Sequence, residues 1–211
     1  MNDIIKDIQT RLAKANLYDG VIDGIPSLLT IKGVKEAIKL NLCTDADLYE
    51  CENPKITSNF RYSELIHSNT AVRLGLSNEP SKEHKANLIE SCVNLWQPAR
   101  DILGKSMNIN SGYRSFEVNN AVGGSKTSAH SIGRAIDFTS PGFGNTRQIA
   151  AKLVKEFKAK GIKFDQIILE FPDSESSWIH LGYKNNKGQQ RSQVLTAVKR
   201  NGKTVYLSGL H

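Results

Sequence analysis

The stretch SAHSIGRAID at residues 128–137 joins a glycine-containing loop to a short apolar strand and carries two side chains that can bind a metal. His130 stands three residues before Gly133, and Asp137 lies in the strand-like run RAIDF. A carboxylate inside an apolar strand is costly to bury unless it is paired or bound to a cation. The stretch therefore predicts that a loop and a strand bring His130 and Asp137 together, although one such pair also arises by chance.

A third ligand candidate lies further along the chain, in the run SWIHLGY at 177–183. Alternation along a strand places Trp178 and His180 on one face and the intervening apolar residues on the other. Zinc accepts imidazole and carboxylate ligands, and a catalytic zinc site supplies three of them and leaves a fourth position open. His130, Asp137 and His180 therefore form a candidate ligand set, while spacing alone leaves a structural role for the strand histidine open.

The elements on either side of residues 128–137 predict an α+β domain with a mixed or antiparallel sheet and helices on one face. Apolar runs between turn residues predict strands at 107–111, 134–138, 164–171 and 177–183. The tail VLTAVKRNGKTVYL alternates around Asn201-Gly202, which is typical of a hairpin. Apolar residues at helical spacing predict helices at 62–74, 81–103 and 146–160, and Pro98 is expected to kink the second or end it early.

The chain is predicted to have a small N-terminal domain before this one. Residues 1–43 contain helical patterns at 2–14 and 32–42 joined by Asp-Gly turns, which indicates a small helical domain. Residues 44–60 are polar and show no sustained periodicity, so we interpret them as a linker. Residues 61–211 then form the α+β domain.

Composition narrows the classes of partner. The 211 residues carry a net charge of +7, which favours polyanions such as nucleic acid, anionic lipid or an acidic wall polymer. The lysines are spread along the chain without a nucleic-acid-binding signature, so no nucleic-acid partner is predicted. The sequence lacks the basic-then-apolar layout of a signal peptide and has no apolar run near the roughly 18 residues of a membrane span.

An ordered set of motifs resembles the M15 family of zinc D-Ala-D-Ala carboxypeptidases and phage endolysin peptidases. The segments, in chain order, are SNTAVRLGLSNEP at 68–80, SGYRS at 111–115, NNAVGGSKTSAH at 119–130, SIGRAID at 131–137, FDQIILEF at 164–171 and WIHLGY at 178–183. The resemblance implies that His130, Asp137 and His180 hold one Zn²⁺ per chain. It also implies that Arg114 of SGYRS faces the substrate or the developing oxyanion.

Other residues of the predicted site have alternative roles. Ser128 is expected to orient the substrate or a ligand, or simply to cap its turn, and Trp178 is expected to contact the substrate. Better-known family branches place a carboxylate three residues before the last histidine, where this chain has Ser177. Serine cannot take a proton from zinc-bound water at neutral pH, so a carboxylate must come from elsewhere in the chain, unless the zinc hydroxide acts unaided.

Glu170 is the candidate general base. It ends the apolar strand FDQIILEF, and the connection PDSES is short enough to return the chain as a hairpin, which would set Glu170 beside Trp178 or His180. Glu175 and Asp173 in the connection are alternatives, although both also fit solvated turn carboxylates.

The N-terminal segment has a resemblance of its own. IQTRLAKANLYDGVIDGIPSLLTIKGVKEAI is similar to the small three-helix peptidoglycan-binding domain, with its first-helix glutamine, Tyr-x-Gly turn and Asp-Gly turn. It departs from that pattern at Pro26-Ser27, where a glycine is usual, and in lacking the final Phe-Gln. Wall binding is therefore expected here, with a degraded function as the alternative.

Together these resemblances predict a zinc peptidase that cleaves bacterial peptidoglycan, most simply a phage endolysin acting as an L-alanyl-D-glutamate endopeptidase. A D-Ala-D-Ala carboxypeptidase, a D,D-endopeptidase and a non-catalytic wall-binding or phage structural protein are the alternatives. We expect a monomer that contacts the anionic wall or outer membrane electrostatically. Synthesis is expected in the host bacterial cytoplasm, and action in the periplasm or cell wall.

Overall fold

A computed structural model describes residues 2–211 and divides the chain into two compact units, the first ending at Ser63 and the second spanning Glu64–His211. The first unit contains α1 (Asp3–Lys14), α2 (Leu28–Lys39) and α3 (Asp45–Glu52). In residues 2–211, no helix has both the length and the apolar character to cross a bilayer.

The three helices of the first unit pack around a small apolar core. Its fully or nearly fully buried side chains are Ile5, Ile8, Leu12, Val34, Ala37, Cys43 and Cys51. Both cysteines are free thiols. Gln9 is also buried, and its amide donates to the Tyr18 hydroxyl, Asp23 and the Ile25 carbonyl while accepting from the Gly24 N–H. The first-helix glutamine thus ties together the two turns noted in the sequence.

The structure places a helix where the sequence predicted a linker. Helix α3 lies inside the segment 44–60, and its residue Cys51 belongs to the core of the first unit. Thr44 begins the helix with a capping box, in which its side chain and that of Asp47 each accept from the other's backbone N–H. The interpretation of this segment as a linker was wrong because the helix is only eight residues long and buries one side chain fully, which leaves no apolar periodicity to detect.

The second unit is an α+β domain with one six-stranded sheet. Helix α4 (Tyr62–Ile66) begins two residues before this unit. The helices within the unit are α5 (Asn69–Leu74), α6 (Lys82–Ser91), α7 (Gln97–Leu103), α8 (Phe116–Ala121) and α9 (Thr146–Lys160). Its strands are β1 (Asn108–Ser111), β2 (Ala135–Thr139), β3 (Gln166–Glu170), β4 (Trp178–Gly182), β5 (Gln193–Arg200) and β6 (Lys203–Ser208). The strand order is β1-β2-β4-β3-β5-β6, and β3 with β5 is the parallel pair in an otherwise antiparallel sheet.

Two predicted helices are divided in the structure. The first breaks between α4 and α5, where Ser68 caps the second piece. The second continues from α6 to α7 through a π-helical turn at Cys92–Trp96. Pro98 lies in the first turn of α7, where its missing N–H removes no hydrogen bond of that helix. The expected interruption therefore takes the form of a π turn just before the proline.

Alternation along the central strands gives the sheet two different faces. The apolar face buries residues such as Ile136, Phe138, Leu169, Ile179 and Leu181. Helix α9 packs against β3 and β4 and buries Ile149, Ala150, Leu153 and Phe157. The predicted mixed sheet and α+β class are confirmed, and the opposite face is left to form a cleft.

Candidate active site

The three predicted metal ligands meet at one point on the open face of the sheet. His130 Nε2 lies 3.2 Å from Asp137 Oδ1 and 3.2 Å from His180 Nδ1, and His180 Nδ1 lies 2.9 Å from Asp137 Oδ1. Asp137 and His180 occupy directly paired positions on the antiparallel strands β2 and β4, which explains their closeness.

A short 3₁₀ turn at Ala129–Ile132 presents His130 to the two strands. The turn ends at Gly133, whose φ of +71° is a left-handed conformation that favours glycine. A Cβ at this position would lie 2.6 Å from the His84 carbonyl oxygen. Glycine at position 133 therefore permits both the left-handed backbone angle and the close contact with α6. Both are needed to hold the turn that carries His130.

A backbone contact sets the orientation of the His130 ring. Its Nδ1 lies 2.7 Å from the Gly112 carbonyl oxygen, which can only accept a hydrogen bond, so Nδ1 carries the proton. The lone pair of Nε2 then faces the point where the three candidate ligands meet, as a metal ligand requires. A Cβ on Gly112 would lie 2.1 Å from the Leu65 carbonyl oxygen, so this segment packs too tightly for a side chain. A metal-binding histidine commonly has such a partner for its second ring nitrogen.

The protonation states of this cluster suit a cation. Burial lowers the pKa of His130, against the opposing effect of Asp137. Burial alone would raise the pKa of the Asp137 carboxyl, but His130 and His180 outweigh it and hold that pKa well below its ordinary value. Neutral imidazole and ionised carboxylate are the forms that coordinate metals.

The donor set fits zinc. Three donors from two histidines and one carboxylate form the usual ligand number and type of a catalytic zinc site. Tetrahedral ligands about 2.0–2.1 Å from zinc are separated by roughly 3.3 Å, close to the observed 2.9–3.2 Å. Three electron-rich atoms this close, mostly shielded from water, need a shared proton or a cation between them.

Arg114 lies beside the cluster and contacts one of its members. Its Nη2 donates to Asp137 Oδ2 at 2.5 Å, and its Nε donates to Ser111 Oγ at 2.7 Å. The guanidinium has five N–H donors, so these contacts use two of them. Arg114 therefore orients the Asp137 carboxylate while its remaining donors line the cleft, where the sequence predicted a substrate-facing arginine.

Glu170 lies on the same face as the cluster. It pairs with Trp178 across β3 and β4, two positions from His180, and it is only 8% exposed. Burial raises the pKa of Glu170 to about 7, with His180 lowering it and Asp137 raising it. A carboxyl that gains and loses its proton near neutral pH is suited to general acid–base chemistry.

Ser177, which stands where the resemblance places a carboxylate base, has a structural role. Its hydroxyl donates to the Glu170 carbonyl oxygen at 2.9 Å and lies 2.6 Å from the Thr146 hydroxyl. Thr146 is the first residue of α9, so Ser177 connects the end of β3 with that helix. These contacts hold the backbone of Glu170 in place.

The remaining predicted residues divide into two groups. Ser128 and Trp178 line the cleft with the metal-ligand cluster. Asp173 and Glu175 are exposed and do not line it, and Asp173 forms an ion pair with Arg147 at 2.6 Å. The structure therefore brings Glu170, and neither alternative carboxylate, to the site.

The cleft has a volume of about 610 Å³ and extends beyond the predicted residues. One wall is the loop that includes Gly123–Ala129, and the floor includes Ile168 of β3 and Leu195 of β5. Thr204 and Tyr206 of β6 also line it. The sequence interpretation missed these C-terminal residues, although the alternation around Asn201-Gly202 marks which of them share a face.

Comparison with protein families agrees with this geometry. A family model described as Peptidase M15 matches residues 58–181, more than half of the chain and all three candidate ligands. The chain belongs to the Peptidase M15 family. Membership implies a metallopeptidase, and M15 peptidases are zinc-dependent. A search of curated proteins gives no match.

Proposed function

We propose that this M15 peptidase is a zinc-dependent peptidoglycan hydrolase that cleaves the stem peptide as an L-alanyl-D-glutamate endopeptidase, in the manner of a phage endolysin. The observation that carries the proposal is the meeting of His130, Asp137 and His180 beside the buried Glu170 in one open cleft. The separate N-terminal unit, with its likeness to a peptidoglycan-binding domain, supports an insoluble wall substrate.

The side chains of the cleft divide the work of peptide hydrolysis. Zinc held by His130, Asp137 and His180 would supply Lewis acidity toward the peptide carbonyl and lower the pKa of the attacking water. Glu170 accepts the proton that this water loses and later gives it to the leaving amine, which its pKa of about 7 permits.

Arg114 and the cleft walls position the reacting groups. The guanidinium fixes Asp137 and offers its other N–H donors to the oxygen on which negative charge develops. Trp178 and Ser128, which line the same cleft, contact the peptide.

Other bonds of the wall are the alternatives. D-Ala-D-Ala carboxypeptidase or D,D-endopeptidase activity would use the same donors and the same carboxylate. A non-catalytic wall-binding or phage structural protein is a weaker alternative, because Glu170 lines the cleft although Ser177 occupies the usual position of the base.

Digestion of purified sacculi tests the proposal directly. The zinc-loaded protein is incubated with sacculi with and without a chelator, and the released fragments are identified by mass spectrometry. We expect chelator-sensitive release of peptides with a new D-glutamate N-terminus. New D-alanine termini would assign the alternative bonds, and the absence of any soluble product would contradict the enzymatic proposal.

A further inference from the structure

The cleft has a side that the family match does not include. The three candidate ligands and Glu170 lie within residues 58–181, whereas β5 and β6 lie beyond that range. Leu195, Thr204 and Tyr206 of these two strands nevertheless line the same cleft. The metal-ligand cluster with Glu170 and this side of the cleft therefore come from different parts of the chain.

Strand register fixes where Tyr206 lies relative to Glu170. Glu170 pairs with Ala197 across β3 and β5, and Ala197 pairs with Tyr206 across β5 and β6. Paired residues share a face of the sheet, so Glu170 and Tyr206 lie on the cleft face two strands apart, roughly 10 Å. Ala197 between them is fully buried and contributes only a methyl group, so this row of paired residues has no large side chain between Glu170 and Tyr206.

A second row of paired residues forms an apolar path beside the first. His180 pairs with Ile168, and Ile168 pairs with Leu195, both of which line the cleft. The distance from β4, which carries His180, to β6 is three strand spacings, about 14 Å. An extended peptide of about four residues has this length.

Tyr206 has the properties of a recognition residue. It is 54% exposed, whereas Val205 and Leu207, which alternate with it on β6, are half-buried. Within residues 2–211 its hydroxyl has no hydrogen-bond partner. Burial, together with the charges of Glu170 and Asp137, raises the pKa of this hydroxyl, so it remains a donor at neutral pH. A ring with an uncommitted donor at its tip can both pack on a peptide and hydrogen-bond to it.

We propose that Tyr206 is a specificity-determining residue that binds the part of the peptide lying about three residues from the scissile bond. Its ring packs on the peptide, and its hydroxyl donates to a carbonyl or carboxylate oxygen there. This inference rests on the proposed peptidase function. It makes peptide length a requirement for tight binding, because a dipeptide at the metal-ligand cluster does not reach β6.

Steady-state kinetics of the zinc-loaded protein test this proposal. The substrates are a monomeric muropeptide with a four-residue stem and one shortened to two residues. Tyr206→Ala is expected to raise KM for the longer substrate by roughly 5- to 30-fold, with kcat nearly unchanged, as for truncation of a buried aromatic contact. The shorter substrate is expected to be unaffected, and Tyr206→Phe should retain most of the affinity.

Val205→Ala is the matched control. It shortens the neighbouring side chain on the other face of β6, so it reports any loss caused by disturbing the strand. Equal KM values for wild type and Tyr206→Ala on the longer substrate would overturn the proposal and leave the peptidase function standing. So would an equal loss on both substrates.

Binding separates this proposal from the function on which it rests. Calorimetric titration of Glu170→Gln and of Glu170→Gln/Tyr206→Ala with the longer muropeptide measures affinity without turnover. A Kd that depends on Tyr206, in a protein whose wild type releases no product from sacculi, would support the subsite and contradict the peptidase. A Kd independent of Tyr206, or no binding, would contradict the subsite.

Discussion

At the scale of single residues, the site depends on a carboxyl group held where water barely reaches it. Glu170 is almost fully buried, and unlike Asp137 it accepts no hydrogen bond from an arginine that would stabilise its charge. The result is a carboxyl with a pKa of about 7 beside Asp137, whose pKa lies well below its ordinary value. Two carboxylates on one face thus have different uses because their neighbours differ.

Replacing Glu170 tests its catalytic role. Glu170→Gln keeps the size and shape of the side chain but cannot accept a proton from water. We expect turnover of muropeptides to fall by about 10²- to 10⁴-fold, while zinc measured by atomic emission stays near one per chain. Glu175→Gln, in the exposed connection, is the control. Full activity of Glu170→Gln would transfer the role to another base.

The same substitution has a measurable effect on the stability of the metal-free protein. Because the folded pKa of Glu170 is about 7, above its ordinary 4.5, the folded state holds a proton that the unfolded state releases. Its contribution to stability is therefore full below about pH 4.5 and is lost as pH rises through 7. The free energy of unfolding of Glu170→Gln should then exceed that of wild type by on the order of 3 kcal/mol at pH 8, and only slightly at pH 4.5.

Urea denaturation at the two pH values measures this difference. Glu175→Gln, in the exposed connection, is the control for the substitution itself. If Glu170→Gln were more stable than wild type by the same free energy at both pH values, burial would not raise the pKa of the Glu170 carboxyl.

The residue scale also shows what the sequence could predict. Asp137 could be singled out as a carboxylate in an apolar strand and His180 as a histidine in an alternating strand, and the order of the motifs joined both to His130. Strand pairing brings Asp137 and His180 together. The structural role of Ser177 could not be predicted, because it depends on Thr146, which lies 31 positions earlier in the chain. A hydrogen bond between distant segments leaves no local pattern.

At the scale of secondary-structure elements, strength of periodicity decided which predictions succeeded. Strands β2 and β3 are apolar runs between turn residues, β4 and the final hairpin alternate, and all were placed within a few residues. Helix α3 was missed because its stability depends on one capping residue and one buried cysteine. The π-helical turn before Pro98 also has no signal of its own, since its residues follow the ordinary helical pattern.

The cap of α3 can be tested by mutation. Thr44→Ala removes the hydroxyl that accepts from the Asp47 N–H. Of the two hydrogen bonds of the capping box, only the one from the residue 44 N–H to the Asp47 carboxylate then remains. We expect the first unit to lose about 1 kcal/mol of stability. Thermal unfolding followed by circular dichroism, with Ser58→Ala as an exposed control, measures the loss. An unchanged unfolding temperature would mean that α3 adds little to this unit.

At the scale of the whole molecule, the positive charge belongs to one unit. Residues 64–211 contain 20 lysines and arginines against 12 aspartates and glutamates, a net charge of +8. Residues 1–63 contain 8 against 9, a net charge of −1. Under the proposed function, electrostatic attraction to an anionic wall would come from the peptidase unit, and a contribution of the N-terminal unit would need specific contacts.

This distribution predicts where salt sensitivity arises. Lys155 and Lys158 are exposed on α9, the helix that packs on the opposite side of the sheet from the cleft. The double substitution of both by Gln should weaken retention on sacculi at low salt by roughly two- to tenfold and leave cleavage of small muropeptides unchanged.

The matched control is the double substitution Lys35→Gln and Lys39→Gln in α2, where both lysines are already paired with carboxylates. Its effect on retention should be smaller. Equal losses in the two double variants, measured by sedimentation with sacculi across a salt series, would contradict a charge-based role for the second unit.

The alternation of β2 and β4 also limits how this protein can evolve. Each strand carries metal-ligand candidates on one face and core residues on the other, so inserting one residue would exchange the two sets. A single inserted codon there would cost both the fold and the chemistry. Insertions should instead accumulate in connections such as residues 184–192, where the chain can lengthen without moving a ligand.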